Sequence, residues 1–313
     1  MSGILDSKSL IKSIKRRAFI PSSQETFKDV DFLEMATEEI NIGLMTQIME
    51  ARGDYLVYYK DFSISSTHQY EIPSRAHGNK LRDVALIDRN GLVIREMSQI
   101  SLEESSDVDR LISTRNNICY LMNNMLIVPN LEPSSDYKIR MWFYMRPNTL
   151  VTNDNGAVIS SISSGAGDTT VLGFSTLPKK FTTQLQLDIV AKASPNKIIS
   201  YDIVPVSIDL TLKTITINNS DLGSINIGDY VTEAGESIVP NLPTEYHPII
   251  AQRVAVACLE AMGDEQNKQS AERKLALMER DALKIVTNRI EGAPKKLRNR
   301  RGTLNEAIKR KWR

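Results

Sequence analysis

Cysteine, histidine and aromatic residues are scarce in this sequence, and each scarcity removes a class of protein. Two cysteines, Cys119 and Cys258, are too few for a disulfide framework. Cys258 lies in an apolar helical stretch where a free thiol behaves as a small hydrophobe, so a reducing compartment is expected. Three histidines, His68, His77 and His247, stand far apart with no Cys or His partner at metal-ligand spacing, and no metal or other cofactor is expected. No run of 18 apolar residues exists to span a membrane. Lys8, Lys12, Lys15, Arg16 and Arg17 are followed by no apolar run of seven, so no secretion signal is read here. With 41% apolar and 25% charged residues, the 313-residue chain is neither disordered throughout nor fibrous.

Charge of one sign is also missing on average, since 39 Lys and Arg oppose 38 Asp and Glu. The average conceals an asymmetry. Residues 292–313 carry nine basic side chains against Glu306 alone, a net +8, which leaves the other 291 residues at −7.

The apolar pattern is helical at both ends of the chain and sheet-like between them. Leu10, Ile11 and Ile14 predict a helix over 7–18, and Leu33, Ala36, Ile40, Leu44, Ile48 and Ala51 predict another over 31–51. After Gly53, short β-branched and aromatic runs such as 55–59, 84–87, 92–94 and 139–144 predict strands, with a tight hairpin at Asp88-Arg89-Asn90-Gly91. From 150 to 239 the pattern predicts a small antiparallel sandwich or barrel. Its clearest strand is the alternation Ile208–Lys213, and the low-complexity run Ser160–Gly167 reads as a surface loop. Beyond Pro240, with Thr244 as a cap, Ile249, Ile250, Val254, Ala257, Cys258 and Ala261 form one stripe. Ala271, Leu275, Met278, Ala282 and Ile285 form a second, which predicts a helical hairpin over 245–290.

The expected fold class is α+β. A discontinuous helical bundle (1–54 and 240–291) would carry an inserted β region (55–149) and a second one (150–239), and an extended basic tail (292–313) would follow.

No catalytic pattern survives inspection. Gly165-Ala166-Gly167-Asp168 lacks the Gly-Lys-Ser/Thr and helix of a phosphate loop, and no Gly-x-Ser-x-Gly elbow exists. The pairs Glu38-Glu39 and Glu103-Glu104 read as solvated faces, and no enzymatic activity is expected. The basic tail is more informative. Thr303 and Glu306 make a capping box, and Leu304, Ile308 and Trp312 would line one side of a short helix. Around them stand Lys295, Lys296, Arg298, Arg300, Arg301, Lys309, Arg310, Lys311 and Arg313. That is a strap followed by an amphipathic anchor for a protein groove; phosphate binding and a solubilising tail are the alternatives.

Several segments resemble the head–tail connector (adaptor, or neck) proteins of tailed bacteriophages. They are Leu10–Ala18 with Ile20-Pro21, Asp31–Glu39, Ala51–Tyr55, Tyr70–Arg82, Met145-Arg146-Pro147-Asn148 and Leu242–Arg253. The likeness runs from about 8 to 290 and is weakest over 150–200. It implies a virion subunit, assembled in the host cytoplasm, that forms a ring, commonly twelvefold, below the portal. DNA would pass through the ring, further tail or neck proteins would attach to it, and no membrane would be involved. The tail residues named above, from Lys295 to Arg313, would then dock on the portal protein. A nucleic-acid-binding module using the basic arm is the competing expectation, although no aromatic platform is apparent in the sheets. A connector carrying a cell-wall hydrolase finds no acidic/His constellation to support it.

Overall fold

The structure is a computed structural model that describes residues 6–21, 23, 26–50, 56–100, 118–129, 131 and 136–287. It is mixed α and β, with helices near both ends of the described chain and several largely antiparallel sheets between them. Helix α1 spans Ser7–Arg17. Helix α2 (Asp29–Glu38) runs through a π-helical segment, Glu39–Leu44, into α3 (Met45–Glu50). On the far side of the sheets come α4 (His247–Ala261) and α5 (Glu265–Thr287).

These helices form because each has an apolar stripe that another can cover. Leu10 and Ile14 of α1, Phe32, Leu33 and Ala36 of α2, and Ile250, Val254 and Cys258 of α4 belong to one hydrophobic cluster with Ala271 and Ala282 of α5. Ala257 is only half-buried and Ala261 is exposed, so the stripe of α4 is narrower than its spacing suggests. Asp6 caps α1 by accepting from the Ser9 N–H at 3.0 Å, and it also accepts from the Asn153 side chain at 2.7 Å. Thr244 does not cap α4, a correction to the expected start. Its N–H and hydroxyl turn instead to Ser194, and the helix opens at His247 with Pro248 in its first turn.

Burial opposes ionisation of Asp6, but the bonds from Ser9 and Asn153 and the charge of Lys8 outweigh it and hold its carboxyl below the ordinary range. Its stabilisation is therefore complete above pH ~4 and lost as pH falls through the lowered value. Asp6→Ala is expected to cost about 1 kcal/mol at neutral pH and markedly less near pH 2. Urea unfolding at both pH values checks this.

Among the described residues the strands form four sheets. The first eight are β1 (Val57–Ser63), β2 (Gln69–Glu71), β3 (Ala76–Asp88), β4 (Val93–Glu96), β5 (Ser98–Gln99), β6 (Ile118–Met122), β7 (Met125–Ile127) and β8 (Tyr137–Met145). They build two four-stranded sheets, ordered β1-β8-β3-β4 and β2-β7-β6-β5. Val84, Leu86, Ile139 and Met141 of the first sheet share a core with Tyr70, Cys119 and Leu126 of the second. The β3–β4 hairpin turns at Gly91, whose φ of +80° suits glycine, while the Asp88 carboxylate accepts from Asn90 and Leu92 N–H at 2.8 Å each.

Next come β9 (Thr149–Leu150), β10 (Ala157–Ser164), β11 (Thr169–Phe174), β12 (Leu187–Val190), β13 (Ile198–Ile203), β14 (Ser207–Asp209), β15 (Thr214–Asn218), β16 (Tyr230–Glu233) and β17 (Glu236–Ser237). Seven of them form one antiparallel sheet, β13-β12-β16-β10-β11-β15-β14, and β9 pairs with β17 in parallel. Leu187 and Ile189 share a single core with Leu172, Ile215 and Ile217, so the two halves of the large sheet cover one another.

Two expectations fail in this region for identifiable reasons. The serine-rich run is strand rather than loop, because Ser161–Ser164 pair with Gly173–Thr170 and the turn falls at Gly167. The alternation Ile208–Lys213 is not one strand: it breaks at Asp209, whose side chain accepts from the N–H groups of Thr211 and Leu212 at 2.8 and 2.9 Å and so turns the chain. Leu210 and Leu212 are left exposed at the tip, close in sequence to exposed Val204 and Val206.

Candidate interaction site

Among the described residues the cysteines and histidines stand apart from one another. Cys119 and Cys258 are buried, which pushes each thiol up to about 11 and keeps it protonated. His247 is buried with Nε2 3.1 Å from the Leu242 carbonyl, and burial pulls it below the usual histidine value. His77 is shifted down by burial and by the charge of Arg146. Among the described residues no group of three His, Cys, Asp or Glu gathers to hold a metal ion. Glu39 is drawn into an ion pair with Arg253 at 2.9 Å.

A buried polar junction lies between the first β region and the large sheet. Arg75, just before β3, donates to Asp188 at 2.7 Å, to Asn148 at 2.6 Å and to Asp202 at 3.2 Å. Asp188, fully buried on β12, also accepts from the Asn148 amide at 2.7 Å and from the N–H groups of Gly235 (3.0 Å) and Asp202 (2.9 Å). The Asn148 N–H donates to Asn241 at 3.0 Å, which ties in the segment leading to α4. Every oxygen of Asp188 is thus engaged, as a buried carboxylate requires. Burial and the neighbouring Asp188 charge raise the Asp202 carboxyl, with Arg75 opposing them.

A second junction sits among the helices. Arg253 of α4 pairs with Glu39 at the start of the π-helical segment and with Glu279 of α5. The guanidinium lies directly over Gly43, where a Cβ would fall 1.9 Å from its Nη1. The π-helical turn and the glycine together make room for this cation.

Among the described residues, no element packs on the Tyr59–Trp142 side of the sheet β1-β8-β3-β4. Register places Tyr59 opposite Trp142 and Asp61 opposite Arg140. Arg140 forks onto Asp61 at 2.7 and 2.8 Å, and its Cζ lies 3.9 Å from the Tyr59 ring centroid and 5.8 Å from that of Trp142. Tyr59 is 53% exposed, and beside it a cleft of about 590 Å³ is lined by Val57, Ala85, Val93, Asp83 and Glu96. The sheets therefore do carry an aromatic–cation platform, contrary to the sequence expectation. Its sequence signal was the period-two spacing of Tyr59 and Asp61 against Arg140 and Trp142. The platform is chemically a contact surface: a guanidinium immobilised by a carboxylate and an aromatic ring contributes binding at little entropic cost.

The residues expected to dock on a portal, Lys295, Lys296, Arg298, Arg300, Arg301, Leu304, Ile308, Trp312 and Arg313, lie outside the described residues, as do Ala51–Tyr55 and Glu103-Glu104. Among the described residues no helix is long and apolar enough to cross a membrane. The sequence matches no protein-family model and no curated protein sequence.

Proposed function

We propose that the chain is a structural virion subunit: a head–tail connector that assembles as a ring below the portal, surrounds the passing DNA and offers a platform to further tail components. One observation carries the reading. The segments that resemble connector proteins bind one another in the fold, although they are remote in sequence. Arg75 of the Tyr70–Arg82 segment meets Asn148 of Met145–Asn148 at 2.6 Å, across 73 positions. Arg253 of Leu242–Arg253 meets Glu39 of Asp31–Glu39 at 2.9 Å, across 214. Arg17 of Leu10–Ala18 meets Gln252 at 2.6 Å, across 235. Residues matched in a family for architectural reasons are expected to lie at such junctions.

The finer architecture belongs to the same reading. Helices from both ends form one discontinuous bundle, the β regions are insertions into it, and the basic segment 292–313 would serve as its docking tail. A bundle of this kind suits the head-to-tail, closing contacts of a ring. Exposed Val204, Val206, Leu210 and Leu212 and the Tyr59–Arg140–Trp142 face supply apolar surface for neighbours or tail proteins. The mechanism is mechanical: each copy contributes one anchor, and many weak anchors joined in a ring bind with high avidity.

Deletion of residues 293–313 is expected to leave the unfolding midpoint unchanged and to abolish incorporation of the subunit into heads. An in vitro assembly assay with purified heads checks this; normal joining of heads to tails by the truncated subunit would overturn the proposal.

A further inference from the structure

We infer that the outer face of α1, together with the cleft between α1 and α5, binds the phosphodiester backbone of a nucleic acid. None of its lining residues belongs to the basic segment 292–313. The body of the chain is acidic as a whole, yet the two adjoining depressions here reverse that sign. One is lined by Lys8, Lys12, Lys15 and Arg16, the other by Arg16, Arg17 and Lys274, and the two contain a single carboxylate, Asp29. Asp29 is occupied by Lys15 at 2.8 Å. Lys8 stands near the Asp6 carboxylate, whereas Lys12, Arg16, Arg17 and Lys274 form no ion pair among the described residues.

Arg17 is the most telling of them. Its guanidinium is half-buried and, among the described residues, is held by neutral groups, the Gln252 side-chain oxygen at 2.6 Å and the Ser13 hydroxyl at 3.3 Å. Burial and the adjacent Arg16 charge both lower its basicity. A cation placed in that way, in a cleft of about 410 Å³ whose other polar walls are Asn267, Ser270 and Gln252, is arranged for an incoming anion. Lys8, Lys12 and Arg16 recur one helical turn apart, about 6 Å per step, so they present a row of charges to an anion that itself repeats.

Phe19 completes the arrangement and separates a nucleic acid from an acidic peptide. It lines the cleft, is 74% exposed, and holds a left-handed backbone (φ +56°) in the helix-ending turn where Ile20 N–H bonds Lys15 C=O at 2.9 Å. Glycine would fill that position without strain and without exposing a ring. A strained, solvent-facing aromatic at the end of a cationic groove is the pattern of a base-stacking platform.

The test uses the full chain, so that the tail contributes equally in every comparison. Binding of a fluorescent 20-nucleotide single strand and of the matching duplex is measured against salt for the parent, for Lys12→Gln/Arg16→Gln/Lys274→Gln, and for Phe19→Gly. Charge removal is expected to flatten the slope of log K against log salt by about 2 for the single strand and slightly more for the duplex, with no change in unfolding midpoint. Phe19→Gly is expected to weaken the single strand about tenfold at unchanged slope, to spare the duplex, and to raise the unfolding midpoint. An unaltered slope in the triple variant, or no binding by the parent, overturns the site. Preferential displacement of the oligonucleotide by polyglutamate reassigns the cleft to an acidic protein and likewise overturns it. None of these readouts involves heads or portal, so failure here and failure of the connector reading are distinguishable.

Discussion

Asp188→Ala is expected to lower the stability of the protein by about 3–5 kcal/mol, the range for removing one partner of a buried, hydrogen-bonded ion pair. Asp188 is fully buried and receives Arg75, the Asn148 amide and two backbone N–H groups. Alanine leaves Arg75, itself only 14% exposed at the side chain, with Asp202 and Asn148 as its remaining acceptors, and it orphans the donors that met the lost carboxylate. Asp188→Asn keeps the shape and one acceptor oxygen, so about half the loss is expected. Nearby Asp202 brings a pH dependence of its own. Its folded value is raised, mainly by burial, so the folded state binds that proton more tightly than the unfolded chain does. Its favourable contribution is therefore present at acid pH and lost as pH rises through the raised value. Urea unfolding of the three proteins near neutral pH decides the matter, and a loss below 1 kcal/mol for Asp188→Ala would show that the junction is incidental.

The second large effect is a coupling rather than a single loss. Gly43→Ala ordinarily favours a helix by up to about 1 kcal/mol. Here the new methyl would displace the Arg253 guanidinium from Glu39, since it falls 1.9 Å from Nη1. The arginine is long and its end can move, but not without giving up a charged hydrogen bond worth about 1.5–3 kcal/mol in a side chain that is 13% exposed. A net cost of about 1–2 kcal/mol is expected in the parent. With Arg253→Ala already in place the clash is gone, and the same substitution should turn neutral or stabilising. A double-mutant cycle by thermal unfolding reads the difference, expected at about 2 kcal/mol; additive effects would mean that the arginine does not seat on the glycine.

Elements whose cause is local were legible in the sequence. Three-to-four-residue spacing located α1, the stretch from α2 to α3 and the α4–α5 pair because each buries a single stripe, and Asp88 with Gly91 announced their hairpin through turn chemistry alone. Where a polar side chain competes with the ladder, pattern misled: Asp209 turns the chain inside an ideal alternation, and the serines of β10 pair as strand because their neighbours on β11 accept them. The π-helical turn left no trace except a glycine inside a helix, since its reason, Arg253, is 210 positions away. The Arg75–Asp188–Asn148 junction was hidden likewise, because Arg75 and Asn148 lie beside strands and meet Asp188 only through side chains remote in sequence, while the Tyr59–Arg140–Trp142 face left only a period-two spacing whose pairing is set by strand register. The anchor residues expected between Lys295 and Arg313 fall outside the described residues.

The connector reading is met most directly by negative-stain electron microscopy of the purified full chain, alone and mixed with purified portal. Closed rings stacked coaxially on portal particles, and subunits largely unassembled without portal, are the expected images. Portal particles left bare at saturating subunit concentration would contradict the account.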